Sequence, residues 1–76
     1  GQEALFEALR AWRSAQAKEQ GVPAYIVFGD ATLLAVAAAQ PETLAGLDGI
    51  TGIGAKKLEA YGEALLEVVA TGAAAE

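Results

Sequence analysis

Gly52-Ile53-Gly54, followed by Lys56-Lys57, is the segment whose residue types and spacing suit ligand chemistry. Glycines let a backbone approach a ligand closely and take φ/ψ values closed to other residues. The helix expected after them offers unpaired N–H groups and the positive end of its dipole. A phosphate fits such a place, with a lysine beside it. The alternative is a tight turn whose glycines serve geometry alone, flanked by two solvated lysines. Tyr25 and Trp12 come next. An exposed aromatic ring can stack a nucleobase. A buried one fills the core and sends its polar tip to water or backbone. Trp12 lies on the apolar stripe of a helix, which favours the core. Tyr25 lies in a loop beside Pro23, where both roles stay open. Arg10 and Arg13 can hold phosphate, but Arg13, at the edge of the stripe, can equally cover apolar surface with its stem.

The residue types that are missing narrow the chemistry. The chain has no cysteine and no histidine, so neither thiol nor imidazole is at hand for nucleophilic or general-base work. Glu59, Glu63 and Glu67 are spaced i, i+4, i+8 and run along one helix face without a histidine or aspartate nearby. Such a stripe is a solvated face or a docking face for a basic partner, with Trp12 as an aromatic alternative. It does not make converging carboxylates, so no catalytic residue, metal site or cofactor is expected.

These residues must be positioned by a small domain. At 76 residues the chain allows one unit and buries only about 60% of its unfolded surface. Without disulfide or zinc staples, idealised helix packing is the remaining route to stability. A hydrophobic fraction of 54% supports that route. No apolar run approaches a membrane span. The absence of methionine is expected of a domain cut from a longer protein, and Gly1 reads as a cloning scar. The net charge of −5 argues against general nucleic-acid binding, which comes mostly from neutralising phosphates. The charge is uneven, however. Residues 1–20 sum to zero, residues 21–58 to −1, and residues 59–76 to −4.

Helical periodicity covers residues 3–19, with Leu5, Leu9, Trp12 and Gln16 on one stripe and Phe6 and Arg13 at its edge. Gly21 and Pro23 end that helix. Residues 22–28 are the most β-like stretch, but no second strand is available, so an extended or single-turn apolar loop is expected. Asp30 is expected to cap a helix over residues 31–39 that buries Leu33, Leu34, Val36 and Ala37. Pro41 stops it, and Thr43 caps a short helix over residues 44–47. Residues 55–70 form the last helix, with Leu58, Tyr61, Leu65 and Val69 inward. Gly62 marks a kink or a close helix contact in its middle. Residues 1–2 stand outside the fold, and residues 71–76 are expected to fray.

In order, Leu5-Phe6, Leu9-Arg10, Trp12-Arg13, Pro23-Ala24-Tyr25-Ile26-Val27-Phe28, Asp30-Ala31-Thr32-Leu33, Pro41, Ile50-Thr51-Gly52-Ile53-Gly54, Lys57 and Tyr61-Gly62 form an ordered set. That set resembles the HRDC domain, named for helicase and RNase D C-terminal, over residues 3–70. The details look most like the HRDC domains of bacterial RecQ-type DNA helicases. The resemblance implies an all-α bundle of about five short helices with no sheet. It implies a non-catalytic accessory domain, joined to the core of an ATP-dependent helicase in the same chain. Its implied role is weak binding of single-stranded or branched DNA and tuning of helicase substrate choice, in repair and recombination. The implied DNA contacts are Tyr25, Lys56, Lys57, Gly52 and Gly54, with Arg10 and Arg13 at positions of mixed role. It also implies a monomeric isolated domain, without membrane contact, in the bacterial cytoplasm near the nucleoid. Two alternatives belong to other classes. One is a protein-interaction module using Glu59, Glu63 and Glu67 or Trp12, and the other is the accessory domain of an RNase D-like nuclease.

Overall fold

The first helix, α1 (Gln2–Gln20), is built mostly from alanine, leucine, glutamate, glutamine and arginine, all strong helix formers. It stops where Gly21 turns left-handed, at φ 69° and ψ 34°. There the N–H of Gly21 donates to the Lys18 carbonyl at 3.3 Å and that of Val22 to the Ala17 carbonyl at 3.0 Å. This paired closure satisfies carbonyls that the helix end would leave orphaned. The computed structural model describes residues 1–74.

Pro23, with φ fixed near its preferred value, opens α2 (Ala24–Val27), a single turn. Phe28 is extended and leads through Gly29 into α3 (Asp30–Ala39). The β-like stretch is therefore one helical turn followed by a core plug, and no strand occurs among the described residues. Two expectations for α3 are corrected. Asp30 is its first helical residue, not its cap; Gly29 holds the cap position, and the Asp30 carboxylate turns to Arg13 instead. Leu34 is 47% exposed rather than buried, because Leu33, Val36 and Ala37 already fill the inward face. Gln40 ends the helix at φ 47° and donates its N–H to Val36, just before Pro41.

Thr43 caps α4 (Leu44–Asp48) as its sequence suggests, its Oγ1 accepting from the Gly46 N–H at 3.2 Å. The last helix, α5 (Ala55–Ala74), packs on both α1 and α4. Gly62 is the close contact: a Cβ there would lie 2.6 Å from Cδ2 of Leu44. The helix also continues past the expected fraying point at residue 71. Gly72 is buried, and a Cβ there would sit 2.8 Å from Cδ1 of Leu5, so α5 stays docked on α1 through this turn. Residues 75–76 lie outside the described residues.

Helix α1 is the hub, touching α2, α3 and α5. Its buried row is Leu5, Leu9, Arg13 and Ala17, rather than the row through Trp12 and Gln16. Around it gather Val27, Phe28, Leu33, Val36, Leu47, Ile53, Leu65 and Val69. Trp12 is half-buried and stands at the edge of this core, with its ring centroid 6.1 Å from Phe28 and 5.5 Å from Tyr61.

Candidate nucleic-acid interface

The turn between α4 and α5 is held by backbone and by one threonine. Ile50 donates to the Leu47 carbonyl at 3.0 Å, and Ile53 donates to the Ile50 carbonyl at 3.1 Å. Ile53 is buried and anchors the turn in the core. The Thr32 hydroxyl donates to the Thr51 carbonyl at 3.1 Å, tying the turn to α3. Gly52 is left-handed, at φ 93°, and a Cβ on it would collide with that hydroxyl. Glycine is therefore required at Gly52 by the fold itself. Gly54 differs: it has an ordinary φ, and the space around its α-carbon is open. Its carbonyl accepts from Leu58 at 2.9 Å, so α5 begins here, with exposed Gly54, Ala55 and Lys56 at its N-terminal end. Lys57 leans inward and holds its Nζ 5.1 Å from the centroid of the Phe28 ring.

Phe28 links this turn to α2. Three residues before it, Tyr25 is 71% exposed, and Ile26 beside it is 48% exposed. These two side chains form an apolar tip on the surface. Ile26 was not singled out by sequence reasoning, because an apolar run of this kind reads as core. Arg13 fixes the segment from within. It is 8% exposed, donates from Nη1 to the Phe28 carbonyl at 3.0 Å and meets the Asp30 carboxylate at 2.7 Å. Its Nε is buried without a hydrogen-bond partner. Arg13 is thus a strut inside the fold, with little of its side chain at the surface.

A family model for the HRDC domain matches residues 2–69. The chain belongs to the HRDC family. Its fold matches a solved HRDC structure, D. radiodurans RecQ HRDC domain 3, at 48% identity and a TM-score of 0.90, over 93% of each chain. Among curated proteins it is 52% identical over 67 residues to the ATP-dependent DNA helicase UvrD2 of Mycobacterium tuberculosis, covering 88% of this chain. It is 42% identical over 65 residues to the ATP-dependent DNA helicase RecQ of Bacillus subtilis, covering 86% of this chain. It spans only 10% of the UvrD2 helicase and 11% of the RecQ helicase.

In this HRDC domain the remaining expected residues lie apart from the turn. Arg10 is exposed, pairs with Glu7 at 3.1 Å, and lies 5.8 Å from the centroid of the Phe6 ring. Glu59, Glu63 and Glu67 are exposed along α5. Tyr61 accepts from Gln20 Nε2 at 2.7 Å and closes the aromatic cluster against Phe28 and Trp12. The structure thus links Tyr25, Lys57 and the start of α5 through Phe28, takes Arg13 into the interior, and leaves Arg10 in a local surface pair. No cluster of three or more potential metal ligands occurs among the described residues.

Proposed function

We propose that this HRDC domain is an accessory DNA-contacting domain of a bacterial ATP-dependent DNA helicase. It binds single-stranded or branched DNA weakly and tunes which substrates the motor engages. The observation that carries this is the exposed Tyr25 ring, on a segment joined through Phe28 to the N-terminus of α5. A base stacks on Tyr25, and the phosphate backbone runs to the α5 N-terminus, where Lys56 and the open Gly54 backbone receive it. Lys57, held over Phe28, adds charge at the junction. The relatives described above are helicases, which supports a helicase rather than an RNase D-like nuclease as the parent. The domain itself is non-catalytic, and its partners are DNA and the helicase core of its own chain. Fluorescence anisotropy with single-stranded and forked oligonucleotides at low salt tests the assignment. Tyr25→Ala and Lys56→Ala should each weaken binding. Unchanged binding in both variants rejects this site.

A further inference from the structure

A second surface uses none of these DNA-contact residues. Helices α1 and α5 lie side by side, and along one flank they leave an open groove of about 490 Å³. Its lining is almost wholly apolar: Ala8 and Trp12 from α1, then Ala64, Val68 and Gly72 from α5. The polar groups are Thr71 and Glu67. Glu67 is exposed, with Glu63 one turn and Glu59 two turns before it along α5. Beyond Lys57, α5 has no lysine or arginine. Glu67 is therefore the one charged group in the lining, and no cation of α5 beyond Lys57 offsets it.

We propose that this groove docks a basic amphipathic helix of a partner protein. The form of the ligand follows from the lining. An extended peptide would bring backbone N–H and C=O groups against apolar walls that offer them almost no partners. A helix satisfies its own backbone and can lay an apolar stripe between the two helices, with small side chains at Ala8, Ala64 and Gly72 allowing close approach. The sign of its charge follows from the lip. Lysine or arginine beside that stripe meets Glu67, whereas a nucleic acid would set its phosphates against it. Trp12, half-buried with the rest of its ring available, supplies an aromatic anchor of the kind that dominates interface energy.

Selection of a displayed library tests this directly, using random-faced 18-residue helices alongside proline-containing extended peptides, with the intact 76-residue chain as bait. Enriched sequences should be helical and net basic, with apolar residues at i, i+3 or i+4 and i+7. A synthesised winner should bind one-to-one, change Trp12 fluorescence and weaken as salt rises. Glu67→Lys and Ala8→Arg should each weaken it at least tenfold while circular-dichroism melts show both variants folded. Tyr25→Ala should leave it unchanged, which separates this surface from the DNA site. Four results overturn the proposal. They are no enrichment, enrichment of acidic or extended sequences, binding indifferent to both groove variants, and occupation of the groove by a single-stranded oligonucleotide or a second copy of the chain.

Discussion

Tyr25 and Arg13 show how exposure separates a side chain open to a partner from one that builds the fold. The Tyr25 ring is mostly in solvent, so Tyr25→Ala should shift stability by no more than about 0.5 kcal/mol. The same change should cost about 1–3 kcal/mol in single-strand affinity, the usual worth of one stacked base. Thermal melts and anisotropy on one preparation give both numbers. Arg13 should behave in the opposite way. Arg13→Ala removes a charged donor from a buried carbonyl and should destabilise the fold by about 2 kcal/mol in urea unfolding. Asp30→Asn should cost only about 0–1 kcal/mol, because that carboxylate is 68% exposed and water replaces the pair. The burial of Arg13 was not legible in the sequence. A charged residue at the edge of an apolar stripe suggests surface, and the acceptor that draws it inward, Phe28, lies 15 residues away.

At the level of elements, the turn before α5 combines two glycines with different duties. Gly52 is left-handed and crowded by Thr32, so Gly52→Ala should destabilise the domain by about 1–3 kcal/mol. Gly54 is neither left-handed nor crowded, so Gly54→Ala should leave the melting temperature nearly unchanged. If DNA approaches the backbone there, that same Gly54→Ala change should weaken binding. Melting curves paired with anisotropy for the two variants separate geometry from contact. The sequence showed two glycines in a turn and could not assign these duties, since the deciding neighbour comes from α3. The helices themselves were far more legible. Thr43, Gly21 and Pro41 carry local stop and start chemistry that needs no tertiary context. Residues 22–28 were ambiguous because Tyr25 and Ile26 are apolar yet face solvent. A composition suited to a strand there serves one helical turn, with Tyr25 and Ile26 exposed outside and Phe28 inside. The end of α5 was misjudged for a related reason. A chain terminus is expected to fray, but Gly72 is small so that α5 can lie against Leu5.

Over the whole molecule, charge separates two surfaces. Five cations against ten acids suit no general nucleic-acid binder. The net negative charge falls mostly beyond Lys57, at −4 over residues 59–76, while Lys56 and Lys57 mark the beginning of α5. DNA binding should therefore be weak and should depend on few ions. Two phosphate contacts give a salt slope of about −1.4 for a single strand, and anisotropy across a salt series measures it. A much steeper slope would require cations that this surface does not have. The central claim is that DNA meets the Tyr25 tip and the start of α5 and avoids the acidic flank. An NMR titration of the ¹⁵N-labelled domain with a short single-stranded oligonucleotide at low salt tests that claim most directly. Amide shifts should cluster at Ala24, Tyr25 and Ile26 and at Gly52, Gly54 and Lys56, with Glu63, Glu67 and Val68 unmoved. Shifts centred on the Glu63 to Val68 flank, or none at either place, would contradict it.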